Sequence, residues 1–476
     1  MRRSAPFLVL AALAAAVLVS GAAALAGDLD LPAQEKTLAN GLKVIVVEDH
    51  TIPNCALNVW WRVGSRNERT GATGLAHYFE HMMFLGGGKY GDAFDTTMEA
   101  AGGDNNAFTT FDNTTYQDWF PKDALPLILD IEKDRMSGMV LTKEKVEHER
   151  DVVHGEFRKD MEDPTARMQV LLRATAYTTH PYHWEVLGWE PDISNWKQSD
   201  IEGFYAENYA PNNATVVLVG DVKSDEAFAA VEKALGAIPR RPDRRPIHSV
   251  EPAQLGERRA ILEDRSATLP QVMMAWHICA TSDADFPVFE VLEDLLIDGD
   301  ASRLQRQLVE DEQLCFGVGG GWQGYQVDPS LFTVELVMRN GGDSKTGEAK
   351  VYAALEKVAK EGPTERELRR VKNKNRAELV HRLEQIASKA ELVGETELFF
   401  GGWKNVPARL AKIEAVTADD VKRVAAKYFT AANRTVCTLV NPAHPPAQGG
   451  DEKDEGDEEK DEKEQKDEKP AMKGGK

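Results

Sequence analysis

The chain repeats itself. Asn213-Ala214-Thr215-Val216 returns about 220 residues later as Asn433-Arg434-Thr435-Val436. Each copy opens a β-branched run and follows an aromatic-ended helical stretch, Asp200 to Tyr209 and Asp420 to Phe429. Earlier, Thr51-Ile52-Pro53 returns as Thr268-Leu269-Pro270, again with a strand-like run after it. Such a repeat limits the fold, because one pattern of strands and helices must serve both copies. Alternating and β-branched runs predict strands at 42–47, 56–63, 215–219, 271–278, 331–338 and 435–439. Helical spacing predicts helices at 74–84, 124–138, 143–161, 286–296, 365–383 and 408–413. Strands with helices between and after them imply an α+β fold of two homologous tandem domains, each a mainly antiparallel sheet with helices packed on it. The expected domains are 27–240 and 259–446, joined by a Pro- and Arg-rich linker at 241–258. Gly86-Gly87-Gly88 and Gly319-Gly320-Gly321 read as turns, and nothing around them makes a phosphate loop.

The two ends differ from the rest. Residues 1–26 carry Arg2 and Arg3, an apolar run from Phe7 to Val19, and the small-x-small pattern Ala24-Leu25-Ala26, which reads as a cleavable export signal. The expected location is the periplasm, with secretion as the alternative. No later stretch is apolar for long enough to span a bilayer. From Asp451 to Pro470 there are twelve acids and five lysines with almost no apolar residue, so 447–476 is expected to stay disordered. The whole chain carries 57 Lys+Arg against 78 Asp+Glu, a net charge of -21, which argues against nonspecific nucleic-acid binding. Cys55, Cys279, Cys315 and Cys437 have no metal-ribbon or redox spacing, leaving disulfides or buried free thiols open.

The chemistry concentrates at residues 74–86. His77 and His81 stand four apart and so share a helix face, where both imidazoles can meet one ion. Glu80 sits beside that face and can reach water there without ligating. A hydrolytic zinc site needs a third ligand and an open fourth position. Glu149 and Glu156 are two helical turns apart downstream, on nearly one face, so that one can ligate while the other supports a histidine. His148 and His154 are rival ligands.

His77-x-x-Glu80-His81 followed by Glu149-Arg-x-Val-Val-x-x-Glu156 resembles the pitrilysin (insulinase) family of zinc peptidases, in its short two-domain form. The resemblance extends through Gly102-Gly103-x-x-Asn106-Ala107-Phe108-Thr109, His180-Pro181-Tyr182…Gly188 and Ser302-Arg303-Leu304. It implies one zinc ion per chain held by His77, His81 and Glu156, with Glu80 as general base and Glu149 behind a ligand histidine. It also implies that Asn106, Ala107, Phe108 and Thr109 form an edge strand on which an extended peptide adds as a further strand. Gly155 departs from the family, where a second Glu often precedes the ligand.

A larger departure lies in the second half. Family members resemble one another there in a Ser-Arg-Leu-x(4)-Arg-x(6)-Tyr pattern, whose Arg and Tyr grip the substrate and stabilise the oxyanion. Here those positions are Val309 and Phe316, and neither side chain donates a hydrogen bond. Arg303, Arg306 and Tyr325 lie near but off the spacing. Short members resemble half-chambers that pair, so the resemblance implies a metalloendopeptidase subunit. Its expected partner is a homologous subunit that lacks the zinc triplet and supplies Arg and Tyr; the alternative is a homodimer. A non-catalytic assembly subunit of the same family is the rival reading. A mitochondrial presequence-processing role is disfavoured, because Phe7–Val19 is a continuous apolar core and not an amphipathic, Arg-rich leader.

Overall fold

The computed structural model describes residues 31–443 apart from positions 86 and 341. The expected leader (1–26), the acidic tail (447–476) and Gly86 lie outside the described residues. In chain order the first half contains β1 (Ala33–Thr37), β2 (Lys43–Glu48), β3 (Asn54–Trp61), α1 (Leu75–Phe84), α2 (Phe94–Ala100), β4 (Asp104–Thr109) and β5 (Thr114–Pro121). It continues with α3 (Leu125–Ser137), α4 (Lys143–Asp160), α5 (Pro164–Ala176), α6 (Glu190–Asn195), α7 (Gln198–Asn208), β6 (Ala214–Gly220) and α8 (Ser224–Leu235). The second half contains β7 (Arg258–Glu263), β8 (Gln271–His277), α9 (Phe286–Leu296), a π-helical segment (Gln305–Asp311), β9 (Cys315–Trp322) and β10 (Leu331–Met338). After these come α10 (Ser344–Glu361), α11 (Glu365–Glu384), α12 (Ile386–Phe399), α13 (Val406–Ala415), α14 (Ala418–Tyr428) and β11 (Arg434–Val440).

The repeat is carried by two sheets of matching topology. The first has the order β1-β2-β6-β3-β5-β4 and the second β7-β11-β8-β10-β9. Without β1 the two orders coincide position for position. In each, the last strand of the half runs parallel to one neighbour (β6 to β2, β11 to β7) and every other pairing is antiparallel. The α+β arrangement of two mainly antiparallel sheets with helices on them is therefore the observed one.

Both faces of the central strands are covered, which is why Ala214–Gly220 reads as an unbroken apolar run and is buried throughout. One face of the first sheet packs on its own helices through Val44, Val46, Leu57, Val59, Phe79, Met82 and Ile128. The opposite face, through Ile45, Val47, Ala56, Val217 and Val219, packs on Ala390 and Val393 of α12, a helix of the second half. The exchange is mutual. Met168, Leu172 and Ala176 of α5 cover Met273, Ala275, Cys437 and Leu439 of the second sheet. These three α5 residues are four apart and form one helical stripe.

Several elements escaped the sequence patterns. Asp104-Asn105-Asn106 has low β propensity, so β4 was expected only through the resemblance. Gly319-Gly320-Gly321 is not a turn but part of β9. Gly320 and Gly321 have φ of 114° and 116°, and a Cβ on Gly320 would meet Thr333 O at 2.4 Å, so glycine serves close strand approach there. All four cysteines are buried free thiols.

Candidate metal centre

The site begins with the entry into α1. Gly74 turns into the helix at φ 86°, and Gly188, at φ 76°, lies against it; a Cβ on Gly188 would sit 2.4 Å from the Gly74 amide. The first turn of α1 has no acid of its own. Glu68 takes that place from a loop: its carboxylate accepts from Gly74 N at 2.8 Å and Ala76 N at 2.7 Å. It thereby satisfies amides that the helix leaves open, while burial, opposed by those two amide hydrogen bonds, pushes its carboxyl up to about 8. Sequence spacing gave no sign of Glu68. Gly188 appeared only as part of the resemblance.

Leu75, Ala76, Phe79, Met82 and Met83 are buried against the sheet and the neighbouring helices, which leaves His77 and His81 on a shared flank, their ring centroids 4.6 Å apart. Helix α4 lies alongside, with Val146, Glu149 and Val153 buried in the contact and Glu156 continuing the same stripe. His81 Nδ1 is 2.9 Å from Glu149 Oε1. His81 Nε2 lies 3.3 Å and His77 Nε2 3.7 Å from Glu156 Oε2. Ligand atoms of His77, His81 and Glu156 all fall within 4.8 Å of one another. His148 is exposed on α4, and His154 Nε2 is 3.0 Å from Glu190, so neither rival joins them.

The donor set fits zinc. Two imidazoles and one carboxylate are common zinc ligands, and bonds of about 2.1 Å at tetrahedral angles place neighbouring ligand atoms about 3.4 Å apart. Glu149 accepts the Nδ1 proton of His81, so Nε2 points its lone pair at the centre. Burial, then the neighbouring His81 charge, pushes His77 down to about 3 and keeps it neutral, as a ligand must be. For His81, burial opposes the charge, but the Glu149 hydrogen bond and the charges of Glu149, Glu156 and Glu80 outweigh it and raise its pKa.

Glu80 is on the same helix but turned to β4. Burial raises its pKa, while the Thr109 hydroxyl, which donates to Oε2, works the other way. Asn106, Ala107, Phe108 and Thr109 lie in β4, which among the described residues pairs only with β5, at the edge of the sheet. Phe108 meets Trp60 edge-on at 6.0 Å, away from the Ala107 side, which joins the core beside α1.

In the second half, Val309 is half-buried against the core and Phe316 is 50% exposed at the start of β9. Arg303 is held by Glu367 at 2.8 Å. Tyr325 accepts from Arg409, which also belongs to the second half. His180 and Tyr182 act at the joint between the halves: His180 Nε2 is 2.9 Å from Asp328 Oδ2, and the Tyr182 hydroxyl accepts from Asp328 N at 3.2 Å.

The chain matches two family models in succession, Insulinase (Peptidase family M16) over residues 43–189 and Peptidase M16 inactive domain over residues 195–375. It is 30% identical over 438 residues to the zinc protease PqqE of Helicobacter pylori, covering 90% of this chain and 97% of that protein. The crystal structure of a protease from Helicobacter pylori superposes with a TM-score of 0.83 at 29% identity, covering 86% of this chain and all of that one. The periplasmic protease PqqL of Escherichia coli shares the fold, with a TM-score of 0.72 at 21% identity; the match covers 87% of this chain and 48% of PqqL.

Proposed function

The chain belongs to the insulinase family, peptidase family M16, and from that premise we propose that it is a zinc-dependent endopeptidase acting on extended peptides or unfolded segments. The observation that carries this is the convergence of His77, His81 and Glu156 within 4.8 Å, with Glu80 beside them on the same helix. Zinc, held by those three side chains, would supply a Lewis acid that polarises the scissile carbonyl and acidifies water to a pKa of about 7. Glu80 takes the water's proton and returns it to the leaving amine. Glu149 keeps His81 in the ligating tautomer. The open edge of β4 receives the peptide as an added strand through main-chain hydrogen bonds, a mode that gives affinity with little sequence selectivity.

The second half supplies no side-chain hydrogen-bond donor at Val309 or Phe316, and loss of one oxyanion donor typically costs about 100–1,000-fold in rate. We therefore read the chain as the catalytic subunit of a heterodimer whose homologous partner provides Arg and Tyr. That PqqL has roughly twice the matched length accords with a two-unit half of a larger assembly. The working units are 27–240 and 259–446, with the mature protein exported to the periplasm after removal of 1–26. Among the described residues no helix is long and apolar enough to cross a membrane.

The test is cleavage of a quenched, flexible peptide by residues 27–476 with one equivalent of zinc, beside Glu80→Gln. Turnover by the chain alone, abolished in the variant, supports the peptidase and removes the need for a partner. Zinc bound without turnover calls for the Arg/Tyr subunit, sought by co-purification. Absence of both sinks the proposal in favour of an assembly role.

A further inference from the structure

Among the described residues, the carboxylate of Glu80 makes one hydrogen bond, and it comes from across the site: Thr109 Oγ1, at the end of β4, donates to Oε2. The hydroxyl has a single proton to give. Its other neighbour is Thr114 Oγ1 at 3.4 Å, directly opposite on β5. Thr114 is fully buried and spends its own proton on Val63 O at 2.9 Å. A carboxylate oxygen at shorter range is the stronger acceptor, so the Thr109 proton belongs to Glu80.

Thr109 is also held still. Its β-branched side chain is stiff at χ1. The hairpin that follows is tied by Thr110 N to Asn113 O at 2.7 Å and by Thr110 Oγ1 to Asn113 Oδ1 at 2.7 Å. The same hydroxyl accepts from the amides of Asp112 and Asn113, each at 3.1 Å. A fixed donor on one carboxylate oxygen leaves Oε1 of Glu80 without a protein partner among the described residues.

We propose that Thr109 is a positioning residue for the base: its hydroxyl pins Oε2 of Glu80 so that Oε1 is presented to the metal centre, and it ties the base to the strand whose edge takes the peptide. This rests on the reading of Glu80 as the base. The main chain of β4 then sets the register of the substrate while the side chain of its last residue sets the aim of the proton acceptor. Distortion of the strand moves both together.

Thr109→Val keeps shape and branching and removes the donor, and Thr109→Ser keeps the donor. The expected result is a kcat about 10–100-fold lower in Thr109→Val, a part of the 10²–10⁴-fold that general base catalysis contributes. KM and zinc stoichiometry should stay unchanged, and kcat should return to within about threefold in Thr109→Ser. Crystals of the zinc-loaded proteins give a readout independent of turnover: the Glu80 carboxylate should turn away from its native orientation in Thr109→Val and keep it in Thr109→Ser. Thr109→Ala is a second donor-free variant should Thr109→Val fold poorly. An unmoved carboxylate, or a rise in KM alone, overturns the proposal and leaves Thr109 as a strand residue only. If Glu80→Gln cuts as fast as the unaltered chain, the base assignment itself fails; if Glu80→Gln is inactive while Thr109→Val is not, only the positioning role fails. Should the chain without a partner cut nothing, the carboxylate orientation in the crystals decides.

Discussion

Glu149 and Glu156 stand two turns apart on one helix, and their surroundings give them different work. Glu149 is buried against α1 and accepts from His81 Nδ1, whereas the half-exposed Glu156 faces Nε2 of both histidines. Removing the charge behind a ligand lowers metal affinity without removing a ligand. Glu149→Gln should weaken zinc binding about 10-fold or more, read by competition with a chromogenic chelator. Equal affinity in the two proteins would show that the His81 tautomer needs no such support. Spacing alone could name the pair but not divide the roles, since seven residues bring both carboxylates to nearly the same face and only the packing of α4 on α1 tells them apart. His77, Glu80 and His81 were legible because they are local to one helix. Glu68 and the Thr109 side chain were not: they reach the helix across loops, Thr109 from 29 residues away, and no helical or strand period links such positions.

At the scale of elements, amphipathic stripes mark which face of a helix is buried, but not what buries it. The α5 stripe of Met168, Leu172 and Ala176 is visible once the helix is drawn, yet its partner is a sheet that begins about 80 residues later. Helix α12 is harder to see, because Gly394 interrupts it. That glycine has a packing reason: a Cβ there would sit 2.0 Å from Trp60 Nε1 on β3. In an exposed helix interior Gly→Ala gains about 1 kcal/mol. Here the methyl must displace a nearly fully buried indole at the joint between the halves, and overpacking of that kind costs about 1–3 kcal/mol. Gly394→Ala should therefore lower the urea midpoint. A raised midpoint would mean that α12 stands further from the sheet than this contact allows. Trp60 also meets Phe108 of β4, so the same substitution should disturb that edge strand.

The two halves hold each other by exchanged helices, and charges fasten the exchange. Lys389 of α12 pairs with Asp49 at the end of β2, Lys43 donates to Glu397 at 2.7 Å, and Lys404 lies 2.9 Å from Glu35. The repeat was legible in the sequence as a period, and so was the presence of two units. The exchange was not, because it depends on which outer face each helix reaches after the chain has turned back. Its electrostatics set an acid limit on the molecule. Burial alone would raise Asp49, but the Lys389 ammonium and the Thr51 donors outweigh it and hold Asp49 at about 2, against an ordinary 3.8. Glu35 is likewise held at about 2, by Lys404 and Trp403 first. Depressed carboxylates bind protons more weakly in the folded state than in the unfolded one. Their stabilisation is therefore present in full above the ordinary carboxylate range and drains away as pH falls from about 4 toward 2. Lys389→Met leaves Asp49 buried beside an apolar chain, a loss felt most while Asp49 is ionised. Urea midpoints measured from pH 7 down to pH 2 should separate the variant from the unaltered chain widely near neutrality and converge on acidification. A constant gap across that range would show that Lys389 contributes by packing alone, and that the joint between the halves is held by the apolar surfaces of α5 and α12 without help from its charges.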